Sequence, residues 1–147
     1  MILDIRKATR DDLKDILTLY AEPDIDNRNV LDLQSATSVL DKMKQYPSYS
    51  LYVASVDNQI VGSFAFLIMD NLAHMGAPSA VVEDVVVHTK WRDQGIGHRM
   101  IEFAMKEAKT QKCYKLALSC NINRERAHKF YESLGFEKHG YSFFVKF

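Results

Sequence analysis

The stretch VVEDVVVHTKWRDQGIGHRM, Val81 to Met100, decides the fold. Its opening, VVEDVVV, is β-branched and apolar on both faces, as a central strand covered on both sides should be. Two adjacent acids, Glu83 and Asp84, interrupt it. Side chains alternate along a strand, so at most one of the two is expected to face a given pocket directly. A buried acid in an apolar strand needs a reason, and spacing alone leaves the two acids either solvated or paired with Lys or Arg near the strand end, or functional. The stretch then reaches Arg92, Gly95 and Gly97 where strand gives way to helix. Unpaired backbone N–H groups and the positive helix end converge at such a junction and form an anion site. Glycine lets the backbone approach an oxygen closely, and Arg92 adds a charged donor beside it. A pyrophosphate fits such a cradle. It is not a Walker loop, because no Gly-Lys-Ser/Thr follows, and Met100 stands where a dinucleotide fingerprint has its third glycine.

Downstream of this loop Met100, Ile101, Ala104 and Ala108 recur at helical spacing, and YKLALSC returns as a strand, giving strand, crossover helix and parallel strand. A second helix carries Ala127, Phe130, Tyr131 and Leu134 on one face, with Gly135 as its C-terminal cap. FEKHGYSFFVKF closes the chain as one or two strands around Gly140. Upstream, SLYVASV and IVGSFAFLIM flank Asp57, Asn58 and Gln59, a three-residue connection that predicts a hairpin of long strands. LDIRKAT alternates like a strand, and Thr9 or Asp11 caps an amphipathic helix in which Leu13, Ile16, Leu17 and Tyr20 share a face. Pro23 ends that helix. The polar region from Glu22 to Pro47 has its own helical pattern, Val39, Leu40 and Met43, and reads as a mobile wall over a site.

With 147 residues, 47% of them hydrophobic, the chain is of the size at which one domain buries roughly two thirds of its unfolded surface. No repeat, low-complexity run or linker splits it, so residues 1–147 are expected to form one domain. Nineteen basic and nineteen acidic residues cancel, which leaves no charge signal for nucleic acid or an anionic membrane. Asp4, Arg6 and Lys7 sit where a secretory signal needs its apolar core, and no run approaches a membrane span, so a cytoplasmic location is expected. Cys113 and Cys120 match neither a disulfide framework nor a CxxC metal pattern and read as reduced core residues. His74, His88, His98, His128 and His139 show no ligand spacing, and no metal is expected.

Arg92-x-x-Gly95-x-Gly97 after VEDVVV, followed by AHKFYESLGF from Ala127 to Phe136, resembles the GNAT family of N-acetyltransferases, whose loop pattern is Arg/Gln-x-x-Gly-x-Gly/Ala. The resemblance covers essentially the whole chain, from IRKATRDDL to Gly135-Phe136. It implies an α+β, three-layer fold: a mixed central sheet of six or seven strands, helices on both faces, and a splay between the fourth and fifth strands. It also implies acetyl-CoA as co-substrate. The coenzyme pyrophosphate would sit on the loop led in by Arg92 and Asp93, on the amides of Gln94, Gly95, Ile96, Gly97 and His98. The pantetheine arm would pair with Val85, Val86 and Val87, and Asn121 and Asn123 would lie near the coenzyme. An opened sheet supplies main-chain groups that a closed one would have used up.

Attack on a thioester needs a neutral amine, an oxyanion donor and help for the departing thiolate. The resemblance gives Glu83 the role of base or of organiser of a water that takes the proton, with Asp84 as a further substrate contact. Tyr131 matches the family tyrosine close to the thioester sulfur. Phenol and thiol have reference pKa values of about 10 and 8.5, so full proton transfer from Tyr131 is uphill by roughly 2 kcal/mol and hydrogen bonding is the expected role. His74, in the loop before the central strand, is a candidate substrate contact. CYKLALSCN, EDVVV and the terminal FFVKF are similar to the glucosamine-6-phosphate N-acetyltransferase branch, a dimer with a shared C-terminal strand. That likeness implies a homodimer, a small-molecule amine such as an amino sugar, and Lys146 reaching the substrate phosphate from the partner subunit. A non-catalytic acyl-CoA sensor or partner-binding module, and a protein or peptide N-acetyltransferase, are the other readings open to this sequence.

Overall fold

Asp57 and Asn58 both take left-handed backbone conformations, with φ of 49° and 65°. Two such residues make the tight turn whose twist matches its flanking strands, and here it joins β2 (Tyr49–Val56) to β3 (Gln59–Met69). The connection is therefore two residues and not three, because Gln59 already pairs with Val56. The computed structural model describes residues 1–147 in two units, Met1–Ala117 and Leu118–Phe147.

The first unit holds a five-stranded sheet in sequential order, completed by β1 (Leu3–Lys7), β4 (Ser79–Val87) and β5 (Lys115–Ala117). Its first three pairings are antiparallel. The β4–β5 pairing is parallel, and the helix between them, Ile96–Thr110, is the expected crossover. β5 is shorter than YKLALSC suggested and pairs only with Ser79–Val81. From Val82 to Val87 that edge of β4 has no ladder partner, in line with a splay between the fourth and fifth strands.

Helices cover both faces. On one side α1 (Leu13–Tyr20) and α2 (Leu33–Met43) bring Ile16, Leu19 and Leu40 onto Leu51, Val53, Ala65 and Val86. On the other side α3 (Ile96–Thr110) sets the Phe103 ring against Tyr52 and Phe64, with centroids 5.2 and 6.4 Å apart. Period-two alternation explains the division: Leu51 and Val53 face α1, and Tyr52 between them faces α3. Gly62 allows the close approach of α3, since a Cβ there would meet Met100 Sδ at 2.7 Å and the Val86 carbonyl at 3.1 Å.

A short 3₁₀ turn, Arg10–Asp12, leads into α1, and its cap is Thr9, whose N–H donates to Asp12 Oδ2 at 2.8 Å. Asp12 is buried and takes both arms of the Arg6 guanidinium, at 2.7 and 2.8 Å. The Arg6 hydrogen bonds hold its carboxyl below the usual range. With the folded pKa depressed, this stabilisation is present above the unfolded carboxylate value and lost as pH falls through the folded one. Asp12→Asn should therefore cost about 2 kcal/mol near pH 7 in urea unfolding, with the gap to wild type closing on acidification.

In the second unit α4 (Glu125–Ser133) ends at Gly135, φ 93°. Gly135 N–H donates to the Glu132 carbonyl at 3.0 Å and Phe136 N–H to the Tyr131 carbonyl at 3.1 Å. This pair of bonds closes a helix through a left-handed residue, usually with an apolar contact across it. The Tyr131 and Phe136 rings supply that contact, 5.7 Å between centroids. YESLGF thus fixes where the tyrosine sits. The residues from 136 onward form no strand, against the one or two expected, because a strand exists only as part of a ladder and this exposed segment has no ladder partner.

Candidate active site

Ala65 pairs with Glu83 and Ser63 pairs with Val86, so two steps along β3 match three along β4. The extra residue is a β-bulge, and Asp84 absorbs it with φ 52°. Directly paired residues share a face, which sets Glu83 with Ala65 on the α1/α2 side of the sheet. Asp84 reaches the same side: the Tyr49 phenol is pushed up by burial first, then by Asp84 and then by Glu83. The alternation expected from the sequence fails at this bulge, and both carboxylates serve one face. Both are also exposed, so β4 is not covered on both sides at this point.

Two tyrosines and a third acid complete the surroundings. Tyr20, the last residue of α1, is pushed up to about 12 by burial, with Asp84 the next cause. Asp84 itself is raised, by burial first and then by Asp26. It is open to solvent on one side and hemmed by protein on the other. Asp26 is held by its own N–H, which donates to the Tyr20 carbonyl at 2.9 Å. The two phenols, both pushed up, are hydrogen-bond donors and the carboxyl oxygens beside them are acceptors, an arrangement with the chemistry to receive an amine. Tyr20, Tyr49 and Asp26 were not selected from the sequence. Tyr20 read as one more apolar-stripe residue, and only the bulge brings Asp84 to it.

The loop after β4 ends in a left-handed glycine at an uncapped helix start. Gly95 is left-handed, φ 79°, and is the N-cap of α3. A Cβ at Gly95 would meet nothing within 4 Å. The first turn of α3 carries no acid and no side chain caps it. Its ladder begins with Arg99 N–H to the Gly95 carbonyl, 3.1 Å, so the N–H groups of Ile96, Gly97 and His98 precede any helical acceptor. These features fit a diphosphate. The side chains around them are tied elsewhere: Gln94 Nε2 to the Lys90 carbonyl at 3.1 Å and His98 Nε2 to Glu102 at 3.1 Å. Asp93 is left-handed, φ 61°, at the bend before Gln94. Val85 and Val87 are half-buried and Val86 is buried.

The Arg92 side chain has its partners outside the loop. Its Nε donates to the Val87 carbonyl at 3.0 Å, and its terminal nitrogen lies 2.8 Å from both Glu22 and Asp24. The His74 ring stacks on Tyr114 with centroids 4.1 Å apart, next to the Ser79 end of β4, where Tyr114 N–H donates to the Pro78 carbonyl. Four strand residues, about 13 Å, separate that end from Glu83. The structure does not bring His74 to the two acids.

In the second unit Asn121 Oδ1 accepts from Asn123 N–H at 2.9 Å, and its carbonyl meets His128 Nε2 at 2.8 Å. The two asparagines thus shape the turn into α4. Tyr131 is half-buried between Phe130 and Phe136, 5.0 and 5.7 Å between centroids. Burial pushes its phenol up, Cys120 adds to this and Arg124 opposes it. Proton release to a thiolate is accordingly harder than for a free phenol. Lys146 is exposed, its Nζ 5.9 Å from the Phe144 ring. A hollow of about 320 Å³ between α1 and α2, with Leu17, Ala21 and Leu33 in its wall, is lined by none of these residues.

Residues 12–136 match the model of the acetyltransferase (GNAT) family. The chain is 27% identical over 111 residues to a glucosamine 6-phosphate N-acetyltransferase of Trypanosoma brucei brucei, covering 76% of this chain and 68% of that protein. It is 26% identical over 147 residues to an aminoalkylphosphonate N-acetyltransferase of Salmonella typhimurium, covering 97% and 90%. Among solved structures, a transcriptional regulator from Bacillus halodurans C-125 superposes with a TM-score of 0.92 at 27% identity, over 99% of this chain and 100% of that one. No helix of the structure is long and apolar enough to cross a membrane. The family match spans the bulged strand, the glycine loop and the tyrosine helix alike, and the chain belongs to the acetyltransferase (GNAT) family, whose members use acetyl-CoA to acetylate amines.

Proposed function

We propose that this acetyltransferase moves the acetyl group of acetyl-CoA to a primary amine of a small molecule, with residues 1–147 acting as one catalytic domain. The observation that carries this reading is the β4 bulge, which turns Glu83 and Asp84 together toward Tyr20 and Tyr49. Acetyl-CoA, when bound, supplies an activated thioester carbonyl. The amides of Gln94, Gly95, Ile96, Gly97 and His98 hold its diphosphate, with Arg92 and Asp93 as the main-chain lead-in. The unpaired edge at Val85, Val86 and Val87 accepts the pantetheine amides, and Asn121 and Asn123 flank the coenzyme. Glu83, directly or through a water, takes the proton from the attacking amine. Asp84 orients the amine, and Tyr131 hydrogen-bonds the departing sulfur.

An amino sugar such as glucosamine 6-phosphate is the proposed acceptor type, supported by the likeness to the trypanosome glucosamine 6-phosphate N-acetyltransferase. Phe143 and Phe144 are 89% and 81% exposed in a segment with no ladder partner. Exposed aromatics in a strand-like sequence favour a homodimer in which this segment pairs with the second copy. Lys146 would then reach the acceptor phosphate of the partner's site. A cytoplasmic location accompanies this reading.

Thiol release from acetyl-CoA with a panel of amino sugars, aminoalkylphosphonates, polyamines and aminoglycosides tests it. Turnover with at least one amine is expected, and Tyr131→Phe should slow that turnover about tenfold with little change in melting temperature. Coenzyme binding in calorimetry without turnover on any amine would replace the enzyme by an acyl-CoA sensor. Turnover confined to peptides would move the acceptor to protein termini or lysines.

A further inference from the structure

The Arg92 side chain is engaged outside the loop at three points. One guanidinium nitrogen holds the end of β4, through the Val87 carbonyl at 3.0 Å. Another lies 2.8 Å from Glu22 Oε2 and 2.8 Å from Asp24 Oδ2. Glu22 closes the link from its side: its other oxygen accepts the Thr89 N–H at 3.1 Å, and its side chain is only 12% exposed. Two carboxylates already outweigh the single positive charge of Arg92. Turning the guanidinium toward a diphosphate would strand the Glu22 charge in a nearly buried position.

The segment held in this way is a compact turn hung on Glu22. Ile25 and Asn27 both donate their N–H groups to the Glu22 carbonyl, at 3.1 and 3.2 Å, and Asp26 donates to the Tyr20 carbonyl at 2.9 Å. Asn27 and Arg28 are left-handed, φ 46° and 72°. The turn thereby carries Asp26 to the side of the sheet on which Asp84, Glu83, Tyr20 and Tyr49 meet.

We infer that Arg92 is a positioning residue for the acceptor amine: through Glu22 and Asp24 it fixes the turn that presents Asp26 beside Asp84 and Tyr20, and its guanidinium does not hold the coenzyme diphosphate. This rests on the acceptor reading of Glu83 and Asp84 given above. It assigns the loop a divided labour, in which main-chain amides serve the coenzyme and one side chain serves the amine. Glu22 is then as important to the acceptor as Arg92 is, although it lies seventy residues earlier in the chain.

Arg92→Lys separates the two roles. A lysine keeps a point charge for a phosphate, yet it cannot bridge Val87, Glu22 and Asp24 at once as the planar fork does. Arg92→Lys and Glu22→Gln are each expected to raise KM for the best amine of the panel about tenfold, while Kd for acetyl-CoA stays within about twofold. Because both act through one link, the double variant should be no worse than either single one. Hydrogen exchange of the backbone amides of Glu22 and residues 24–28 should quicken in each variant, a readout that needs no turnover. A tenfold loss of acetyl-CoA affinity in Arg92→Lys, with amine KM and exchange unchanged, would overturn the inference, as would independent, additive effects of the two substitutions. If no amine is turned over, the coenzyme affinity and the exchange rates still decide it, and the failure then belongs to the proposed function alone.

Discussion

Gly97→Asp is expected to leave the folded protein at least as stable as the wild type and to weaken acetyl-CoA binding by two orders of magnitude or more. The first turn of α3 has no acidic residue and no side-chain cap. A carboxylate placed there meets unpaired N–H groups and the positive helix end, worth about 0.3–1 kcal/mol to the helix. Aspartate is also a better helix residue than glycine by a few tenths of a kcal/mol, so the two effects point the same way. The same carboxylate stands where the diphosphate has to be. Two like charges about 4 Å apart near a protein surface repel by about 4 kcal/mol, enough for a loss of more than a hundredfold. Thermal melts and calorimetry with coenzyme A measure the two signs separately. A protein that melts as well as the wild type and still binds coenzyme A undiminished would remove the helix end from the coenzyme site.

That experiment probes the part of the molecule most legible in the sequence. A β-branched run, two glycines and a helical repeat in VVEDVVVHTKWRDQGIGHRM place a strand, a left-handed cap and a helix in order, and each is set by residues within a turn of itself. The hairpin at Asp57-Asn58 and the helix end at Gly135-Phe136 are local in the same sense. The bulge at Asp84 is not. Its position follows from the register of β4 against β3, which no local pattern in VVEDVVV encodes, and so the alternation rule sent the two acids to opposite faces. The ion pairs of Arg92 are no more legible, because its partners Glu22 and Asp24 come from a different part of the chain and nothing around Arg92 announces them. The terminal aromatic run read as strand by composition alone, and composition cannot supply the neighbour that a strand needs.

The bulge also decides the second large effect. Glu83→Gln should lower kcat/KM for the amine by 10² to 10⁴, roughly the range for losing a positioned proton acceptor, with acetyl-CoA affinity retained. Asp84→Asn should behave differently, because Asp84 costs the fold something to keep. Its carboxyl lies above the ordinary carboxylate value owing to burial and then to Asp26. Between its unfolded and folded pKa values the folded state holds a proton that the unfolded chain has released, so stability falls as pH rises through that window. Below the window the carboxyl is neutral in both states and the penalty is absent. Asparagine removes the penalty, and the variant should melt above wild type near pH 7, with the two curves converging on acidification. It should at the same time bind the amine more weakly, since an ammonium loses one of the anions facing it. Higher stability joined to poorer amine binding is what an acid retained for its ligand should give. If Asp84→Asn instead melts lower at pH 7, the acid is supporting the bulge, and its place in the acceptor site passes to Glu83 alone.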